Sequence, residues 1–593
     1  MFMVRIAIID RERCVNGKTC PLVCGKYCPV NRGGGECVTI NEIDNKALID
    51  EKLCTGCGIC PKKCPTQCID IVNLPEKLKE DPIHRFGQNM FELFRLPIPK
   101  KGYVVGVLGR NGIGKSTALN ILAGTLMPNL GNYSEPPSED KILDKYSTYY
   151  LGEYFRKSFE NKIKISYKPQ RIELLPKIFK GTVGELIEKA DEVGKAKEYM
   201  ELLEIDHLQD RELSQLSGGE LQKVAIIATA IKKADVYYFD EPASFCDITT
   251  RVKVAKLIRS LINKKCSVIV IEHDLATLDY ISDEIQIIYG KQGAYGVVSQ
   301  SKGVSRGVNE YLEGYLPDDN VRFRDYPIKY HDATEITNME KGVLVKVPQL
   351  EKSFEKFSMK VKPAELNKGE VLAVMGANGL GKTTFLKLLA GEIKPDNGKM
   401  KKLKIAYKVQ YPSSEVDGTV REWLMKIAKD KFESGWYKQI ILEKLGLINV
   451  IDNEVRNLSG GELQKLFIAV TLSQDCDIYA FDEPSAFIDV EDRLKVAEII
   501  REFVVKNEVS AIVVDHDVQF IDYIADSMLV FEGNPGIKGH VYGPVTKREG
   551  MNKVLEMLDI TYRRDANSLR PRINKAGSQL DTQQRAKGEF YYT

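Results

Sequence analysis

The chain lacks the features that mark a membrane or secreted protein. No uninterrupted apolar run reaches about 18 residues, the length needed to span a bilayer, and the N-terminus has no secretory pattern. A strong net charge is also missing, because 85 Lys and Arg stand against 83 Asp and Glu, a formal charge of +2. We therefore expect a cytoplasmic protein with no membrane partner, whose contacts with RNA depend on local charged patches. Its 593 residues are enough for about three to four domains.

Cysteine is scarce over most of the chain and concentrated near its beginning. Nine of the 13 cysteines lie within the first 64 residues, which in a reducing compartment indicates metal binding rather than disulfides. Eight of them form two runs, each with proline after the last cysteine: Cys14, Cys20, Cys24 and Cys28, then Cys54, Cys57, Cys60 and Cys64. The second run, Cys-x2-Cys-x2-Cys-x3-Cys-Pro, has the spacing of a bacterial ferredoxin with two 4Fe–4S clusters.

In that ferredoxin arrangement the first three cysteines of a run bind one cluster and the fourth binds the other. We therefore expect cluster one to be bound by Cys14, Cys20, Cys24 and Cys64, and cluster two by Cys54, Cys57, Cys60 and Cys28. Two zinc sites are the alternative, since four thiolates also suit Zn²⁺, although zinc sites do not require this spacing. Cys37 and Cys68 lie outside the pattern and are expected to be packed thiols.

Two Walker A loops, GRNGIGKST and GANGLGKTT, each follow an apolar run that predicts a buried strand. In such a loop the backbone N–H groups surround phosphates, the lysine reaches the β and γ phosphates, and the following hydroxyl binds Mg²⁺. The predicted nucleotide-binding residues are Gly109, Asn111, Gly112, Gly114, Lys115, Ser116 and Thr117 in the first loop, and Gly376, Asn378, Gly379, Gly381, Lys382, Thr383 and Thr384 in the second.

Each loop is followed by a Walker B motif, an apolar run that ends in Asp240-Glu241 or Asp482-Glu483. The aspartate is expected to hold Mg²⁺ through its water shell, and the glutamate to polarise the attacking water. His273 and His516 follow after a further apolar run and are candidates for contacting the γ-phosphate. The predicted magnesium ligands are Ser116 and Gln170 in the first repeat, and Thr383 and Gln410 in the second.

Between these motifs both repeats carry LSGGE, which separates ABC-type ATPases from other P-loop enzymes. Ser217 and Gly219, like Ser459 and Gly461, are expected at a helix N-terminus, where N–H groups and the helix dipole favour a γ-phosphate. Upstream of the P-loops, Phe86 and Phe354 are candidates for stacking on adenine, although aromatic residues there are also compatible with a core role.

The first repeat contains an insertion. Lys115 and Gln170 are 55 positions apart, whereas Lys382 and Gln410 are 28 apart, and the extra residues fall near 132–166. Within this segment apolar and aromatic residues recur at helical spacing. One interpretation is a surface helical pair that covers its own apolar stripe. The other is a docking element for a partner, since exposed aromatic residues are typical of interfaces.

These motifs together resemble the ABC subfamily E ribosome-recycling ATPases, the RNase L inhibitor family, over essentially the whole chain. Further matching stretches are IVNLP at Ile71–Pro75, GTVGELI at Gly181–Ile187, GYLPDDNVRFRD at Gly314–Asp325 and RRDANSLRPRINKAGS at Arg563–Ser578. The resemblance implies an α/β fold with two ABC-type P-loop ATPase domains, head to tail, and an N-terminal α+β ferredoxin-like domain. The expected boundaries are 1–75 for the cluster domain, 76–295 and 341–545 for the ATPase domains, and 296–340 and 546–593 for two hinges.

The resemblance also implies a function. Members of the family use ATP to split ribosomes into subunits after termination or stalling, beside a release-factor-like protein, and remain on the small subunit, where contacts with initiation factors are possible. It implies a monomer with two composite ATP sites, in which the LSGGE of one half meets the phosphate bound by the other. The insertion would contact the small subunit. Six arginines would lie near rRNA phosphates: Arg322, Arg324, Arg563, Arg564, Arg570 and Arg572.

The chain departs from the family pattern at a few positions. Five residues instead of four separate Cys14 and Cys20, Phe86 stands where tyrosine is usual, and Ala243–Asp247 replaces a more usual Ser-Ser-Tyr-Leu-Asp. The stretch PNLGNY favours a eukaryotic rather than an archaeal member. Three alternatives remain at this point: a transporter's ATPase subunit, a soluble tandem ABC ATPase of another translation step, and an iron–sulfur redox protein with ATP-gated electron transfer.

Overall fold

The computed structural model describes residues 5–16, 20–73, 80–147, 150–330, 342–397, 403–410, 413 and 416–591. Parts of the predicted linker at 71–75 and of the hinge at 296–340 lie outside these residues. The chain forms two compact units: Met1–Pro242 with Lys256–His273 and Ile281–Pro327, and Ala243–Ala255 with Asp274–Tyr280 and Ile328–Thr593. The second unit thus contains two short segments that belong to the first repeat in sequence.

The N-terminal part of the first unit is a small α+β structure. Strand Arg5–Ile9 pairs antiparallel with Ile69–Asn73, and Val38–Ile40 pairs antiparallel with Ala47–Ile49. Short helices lie between them at Val23–Tyr27, Pro29–Arg32 and Ile59–Lys63. Buried Asn89 joins this part to the ATPase part, since its side chain donates to the carbonyls of Ala7 and Ile49 at 3.0 and 2.9 Å.

The first ATPase repeat is built on a mainly parallel sheet, with nine strands among the described residues. In sheet order they are His84–Arg85, Glu92–Phe94, Tyr295–Val298, Glu284–Lys291, Val104–Leu108, Ser267–Ile271, Val236–Asp240 and Ile165–Lys168, with Lys302–Gly303 paired to Glu284–Lys291. Its helices are Lys115–Leu122, Glu139–Tyr146, Tyr150–Phe159, Leu175–Ile178, Val183–Ala190, Ala196–Leu202, Gly218–Ala230 and Val304–Glu313. The central strands are apolar and buried, as expected for a sheet covered on both faces.

The second repeat has the same strand order. Its sheet runs Leu350–Ser353, Ser358–Val361, Lys538–Thr546, Ser527–Asn534, Val371–Met375, Ser510–Val514, Ile478–Asp482 and Ile405–Lys408. The helices are Lys382–Leu389, Val420–Ala428, Gly460–Ser473, Val490–Asn507, Val518–Ile524, Lys547–Met557 and Gln579–Lys587, with short helical turns between Lys429 and Val450. Two helices, Ile248–Ser260 and Leu275–Ile281, have residues in both units. Of these, Ile248, Val252 and Ala276 contribute to the second unit's hydrophobic core.

Small antiparallel hairpins complete the described structure: Tyr315–Leu316 with Val321–Arg322, Val343–Val347 with Ala364–Asn367, and Tyr562–Arg564 with Pro571–Ile573. Among the helices described here, none combines the length and apolar character that crossing a membrane requires. The domain boundaries given above stay predictions.

Candidate functional site

Three parallel strands bring the motifs of each repeat to one edge of its sheet. In the first repeat Ser267–Ile271 lies between Val104–Leu108 and Val236–Asp240 and is parallel to both. Because the carboxyl ends of parallel strands meet at one edge, the P-loop, Glu241 and His273 come together there. The second repeat repeats this arrangement with Val371–Met375, Ser510–Val514 and Ile478–Asp482.

Each Walker A lysine is buried and bonded to carbonyls of its own loop. Nζ of Lys115 donates to the carbonyls of Gly109 and Arg110 at 2.9 and 2.7 Å. Nζ of Lys382 makes the same two bonds within its loop, at 2.7 and 2.8 Å. Burial of the ammonium lowers the pKa of Lys382 to about 8. Both loops therefore hold a cation inside a ring of backbone groups, ready for phosphate.

An aromatic ring packs against the last glycine of each loop. Gly114 and Gly381 both have φ of 92°, in the left-handed region. A Cβ on Gly114 would lie 2.7 Å from Cζ of Phe91, and one on Gly381 would lie 2.9 Å from Cζ of Phe357. Glycine is therefore required for two reasons, backbone conformation and space. Sequence reasoning missed both phenylalanines, although each follows an adenine-stacking candidate at a similar place in its repeat.

The two adenine-stacking candidates lie beside these rings and are open to solvent. Phe86 is 46% exposed, with its ring centroid 6.4 Å from that of Phe91. Phe354 is 47% exposed and lies 6.5 Å from Phe357, with stacked rings. This exposure is unlike that of a core aromatic residue and is compatible with stacking on a base. The stacking role itself stays a prediction.

The predicted catalytic residues of the first repeat contact one another. Oε1 of Glu241 accepts a hydrogen bond from Nε2 of Gln170 at 2.7 Å and lies 3.3 Å from Nε2 of His273. Glu241 itself has φ of 49°, so the backbone turns sharply after Asp240. This turn aims the glutamate away from the strand and towards the glutamine and histidine. The arrangement suits a carboxylate that orients water.

The second repeat has the corresponding contacts. Oε1 of Glu483 accepts from Nε2 of Gln410 at 2.7 Å and lies 3.5 Å from Nε2 of His516. His516 also lies 3.0 Å from Oδ1 of Asn378 in the P-loop. The hydroxyl of Thr383, a predicted magnesium ligand, donates to Oδ2 of Asp482 at 2.9 Å. Asp482 and Thr383 are thus adjacent, as ligation of one ion in the P-loop NTPase pattern requires.

The two glutamates differ in their electrostatic surroundings. Burial, together with the carboxylates of Asp515 and Asp482, raises the pKa of Glu483 to about 7. Burial acts in the same direction on Glu241, but its hydrogen bond and charge interaction with His273 outweigh it, and the pKa is lowered. The second site thus has a carboxyl that titrates near neutrality, whereas the first holds an ionised carboxylate.

Two buried lysines that sequence reasoning missed support the Walker B turns. Lys168 and Lys408 are 0% and 1% exposed. Nζ of each donates to the backbone carbonyls of its Walker B aspartate and glutamate, at 2.8 and 3.3 Å in both repeats. Gln222 and Gln464, from the LSGGELQ stretch, also donate to the glutamate carbonyl, at 2.7 and 2.5 Å. The sequence did contain a signal for these residues, because each lysine and each glutamine stands at the same position in both repeats.

The signature serines begin helices, as predicted. Ser217 caps Gly218–Ala230 and Ser459 caps Gly460–Ser473, and each makes a capping box with the glutamate three positions later. The signature glycines Gly219 and Gly461 lie in these first turns, where free N–H groups face outward. The pairing of each signature with the opposite P-loop stays a prediction.

A segment of the first repeat reaches the second P-loop. Asp247 belongs to the second unit, and its Oδ2 accepts from the backbone N–H of Asn378 at 2.9 Å. Its Oδ1 accepts from the N–H of Thr250 at 2.8 Å. Although burial opposes ionisation, His516 and these N–H groups lower the pKa of Asp247 to about 2. The stretch Ala243–Asp247, which departs from the family pattern, therefore still places an ionised carboxylate beside the second P-loop.

Part of the insertion's aromatic stripe packs inward. Leu151, Tyr154 and Phe155 are buried in the core of the first ATPase repeat. The hydroxyl of Tyr154 donates to the carbonyl of Leu122 at 2.5 Å and lies 2.7 Å from the hydroxyl of Tyr238. An exposed docking surface is therefore wrong for these three residues, because the protein's own sheet and helix cover them. Tyr150 is 46% exposed, so docking by this ring and by the polar faces of the helices Glu139–Tyr146 and Tyr150–Phe159 stays a prediction.

Most of the predicted phosphate-contacting arginines are also engaged inside the protein. Arg570 is 0% exposed and lies 3.3 Å from Asp279, which pairs with Arg572 at 2.6 Å as well. Arg324 is buried and donates to backbone carbonyls, and Arg564 lies 3.5 Å from Asp522. Arg570 and Arg324 are buried inside the protein, so the expected phosphate contact is corrected for these two. Arg564 and Arg572 are half-buried and held in ion pairs, and a phosphate contact by them stays a prediction. Of the six, Arg322 is exposed and Arg563 is partly so.

The N-terminal cysteines line two cavities in the grouping that the spacing predicts. One cavity is lined by Cys14, Cys20, Cys24 and Cys64, and also by Cys68. The other is lined by Cys28, Cys54, Cys57 and Cys60, and also by Cys37. No three His, Cys, Asp or Glu side chains among the described residues are arranged to hold a single metal ion. Thiols spread around a cavity do fit a larger iron–sulfur group.

Known proteins match this chain over almost its full length. A family model described as ABC transporter matches residues 98–244 and 361–486. An uncharacterized ABC transporter ATP-binding protein of Methanocaldococcus jannaschii is 49% identical over 99% of this chain and 98% of that protein. Translation initiation factor RLI1 of Saccharomyces cerevisiae is 41% identical over 99% of this chain and 98% of that protein.

Two solved structures agree. The ABCE1 in a model of ribosome-bound archaeal Pelota and ABCE1 is 50% identical, with a TM-score of 0.93, and covers 100% of this chain and 99% of that one. A structure titled RNase-L Inhibitor is 49% identical, with a TM-score of 0.82, over 87% of this chain and 100% of that one. The chain belongs to ABC subfamily E, the RNase L inhibitor family.

Membership confirms the predicted α/β fold with two ABC-type ATPase domains and the assignment as an ATPase. It does not favour the expectation of a eukaryotic member. Identity to the archaeal ABCE1 is 50%, against 41% for the Saccharomyces cerevisiae factor. The short stretch on which that expectation rested is too small to outweigh the identity over the full chain.

Proposed function

We propose that this protein is an ATP-driven ribosome recycling factor, which splits ribosomes into subunits after termination or stalling and then stays on the small subunit. The observation that carries the proposal is full-length similarity to ABCE1 and RLI1 proteins together with two intact hydrolysis sites. The relatives' names point the same way: one ABCE1 is described as bound to a ribosome with Pelota, and another as a ribosome recycling factor in complex with a ribosomal stalk protein.

In this proposal each site hydrolyses ATP with its own Walker B glutamate as the water-polarising group. Gln170 and Gln410 hold the two carboxylates by hydrogen bonds of 2.7 Å. The Walker A lysines would exchange their loop carbonyls for phosphate oxygens. Mg²⁺ would be held by the hydroxyl of Ser116 with Gln170 in the first site, and by that of Thr383 with Gln410 in the second. ATP binding then favours one arrangement of the protein and hydrolysis releases it, which turns chemistry into work on the ribosome.

Two 4Fe–4S clusters are part of the proposal, and the residues present fit them. Each cavity is lined by the four thiols that the ferredoxin pattern assigns to one cluster. When bound, the clusters would cross-link segments up to fifty residues apart and hold the domain in one shape. ATP-gated electron transfer gains no support from relatives that carry the names of translation factors.

The finer parts of the proposal concern partners and location. We expect a monomer in the cytoplasm that contacts rRNA and ribosomal proteins of the small subunit, beside a release-factor-like protein. Support comes from the family and from the relatives' ribosomal partners. Arg322 and the polar faces of the insertion helices are among the exposed groups that such contacts could use.

Sedimentation with purified ribosomal subunits tests the proposal. The anaerobically prepared protein is mixed with each subunit, with and without a non-hydrolysable ATP analogue. We expect nucleotide-dependent comigration with the small subunit. Lys115→Ala/Lys382→Ala is the matched control, since it removes both phosphate-binding ammonium groups and should abolish the nucleotide dependence. Comigration with neither subunit, with nucleotide binding verified, would contradict the recycling function.

A further inference from the structure

Each thiol cavity carries one cysteine more than a 4Fe–4S cluster needs. Four thiols suffice for such a cluster. The cavity for cluster one is lined by Cys14, Cys20, Cys24, Cys64 and Cys68, and Sγ of Cys68 lies 3.4 Å from Sγ of Cys64. That separation places two sulfurs in contact at one corner of the cavity, so the spacing pattern alone does not decide which of them binds iron.

Local backbone structure explains why these two thiols lie side by side. Cys64 ends helix Ile59–Lys63, and its carbonyl accepts from the N–H of Gln67 at 3.2 Å. Gln67 has φ of 48°, which completes a tight turn through Pro65 and returns the chain to the same cavity. Cys68 then leads into strand Ile69–Asn73, and its carbonyl accepts from the N–H of Asp10 at 2.8 Å. The turn is thus fixed at both ends by backbone hydrogen bonds.

Cys68 also has the surroundings of a ligand rather than of an ordinary packed thiol. It is buried, lines the cavity wall, and lies within hydrogen-bond distance of the thiol of Cys64. In the other cavity, the extra thiol of Cys37 lies 3.8 Å from the backbone carbonyl of Asp50 and also interacts with the thiols of Cys28 and Cys54. Cys68 differs in its place in the chain, because it follows Cys64 by four positions and one tight turn carries both sulfurs.

We propose that Cys68 is an alternative ligand of cluster one, which takes the iron position of Cys64 when Cys64 does not bind. The exchange involves no change of oxidation state. The thiol of Cys68 loses its proton to solvent as it binds iron, and the released sulfur of Cys64 gains one. The inference rests on the proposed presence of the two clusters. It gives the cluster a reserve ligand at a corner where the thiol of Cys64 is only partly buried.

Iron and acid-labile sulfide content test the exchange, with the electron paramagnetic resonance spectrum of the reduced protein as a second readout. The full chain is purified anaerobically as wild type and as Cys64→Ala, Cys68→Ala, Cys64→Ala/Cys68→Ala and Cys24→Ala. We expect about eight iron atoms per chain for wild type and for both variants that lack one member of the pair. The double variant and Cys24→Ala, which has no reserve thiol, should keep about four. Cys64→Ala should also show an altered spectrum, because a different sulfur binds one iron.

The outcomes separate this proposal from the one on which it rests. If Cys64→Ala loses iron to the same extent as the double variant, Cys68 is a packed thiol and the proposal is overturned. If wild type contains clearly fewer than about eight iron atoms per chain after anaerobic preparation, the assignment of two clusters fails, and the alternative ligand fails with it. ATP binding by each variant verifies that the ATPase parts are folded, so that iron loss cannot be ascribed to general unfolding.

Discussion

Asp247 accepts a hydrogen bond at 2.9 Å from the backbone N–H of Asn378, although the two residues are 131 positions apart in the chain. Asn378 lies in the second P-loop, and its side chain is 3.0 Å from His516, the predicted γ-phosphate contact. A carboxylate that follows the first Walker B motif in sequence therefore helps to position the second P-loop. Asp247 is thus part of the second site's surroundings, within the second unit.

Replacing Asp247 should impair the second site selectively. Asp247→Ala removes the acceptor of the Asn378 N–H, a partly buried hydrogen bond to a charged group, which costs about 1.5–3 kcal/mol. We expect ATP turnover by a Glu241→Gln background, in which the second site is the one that retains its base, to fall by about tenfold. Single-turnover hydrolysis measures this. Asp247→Asn, which keeps an acceptor oxygen, should recover part of the rate, and equal rates for all three proteins would contradict the link.

The lowered pKa of Asp247 also predicts how the stability of the protein depends on pH. Its pKa is lowered from the ordinary value of 3.8 to about 2. A carboxyl whose pKa is lower in the folded protein stabilises it fully above the unfolded value, and this contribution is lost as the pH falls towards 2. Denaturation followed from pH 7 to pH 3 should therefore show a smaller loss of stability below pH 4 for Asp247→Asn than for wild type. A parallel decline of the two proteins would argue against the lowered pKa.

The two ATP sites should respond differently to pH. Glu483 has its pKa raised to about 7 by burial and by Asp515 and Asp482, whereas the pKa of Glu241 is lowered by His273. Glu241→Gln leaves the second site active, and its hydrolysis should rise between pH 6 and pH 8 as Glu483 loses its proton. Glu483→Gln leaves the first site active, and its hydrolysis should change little over this range. The test is steady-state phosphate release, and matching profiles would contradict the difference.

The sequence predicted the motif residues well because nucleotide chemistry constrains them locally. The P-loops, the Walker B acids and the signature serines lie where their spacing indicated. The sequence analysis failed for residues whose role depends on burial by parts of the protein that are distant in sequence. Lys168 is charged yet 0% exposed, because carbonyls of Asp240 and Glu241 replace its water. Helical periodicity found the stripe of Tyr154 and Phe155 but could not tell that the protein's own sheet covers it. Arg570 was likewise read as an RNA contact although Asp279 pairs with it inside.

The buried lysines should act by positioning the Walker B glutamates. Lys408→Met keeps much of the side chain's volume but removes the two hydrogen bonds to the carbonyls of Asp482 and Glu483. We expect kcat of the second site, measured in the Glu241→Gln background, to fall by about tenfold or more with a small change in KM, because this lysine is buried and bonded to backbone carbonyls. Lys408→Arg should restore part of kcat. An unchanged kcat in Lys408→Met, with the fold intact, would leave the lysine a purely structural role.

Breaking the ion pair of Asp279 should destabilise the second unit strongly. Arg570 is fully buried, so Asp279→Ala leaves a buried cation without its partner, which costs about 3–5 kcal/mol. Thermal or urea unfolding of the variant should show a clearly lower midpoint. Asp452→Ala is the matched control, because its pair with Arg421 is largely exposed and worth at most about 1 kcal/mol. A midpoint for Asp279→Ala no lower than that of the control would mean that Arg570 has compensating partners.

The inward packing of the insertion changes how its role on the ribosome has to be tested. Deleting the segment would remove Tyr154 and uncover the core around Leu122, so any loss of ribosome binding could follow from unfolding. Charge reversal on the exposed faces avoids this, and Lys141→Glu/Arg156→Glu changes two exposed cations that lie on the two insertion helices. We expect weaker comigration with the small subunit and unchanged ATP hydrolysis without ribosomes. Lys189→Glu/Lys197→Glu, at two exposed cations elsewhere in the first unit, is the control for net charge. If both double variants lose binding equally, the contact is a general attraction to RNA and not a property of the insertion.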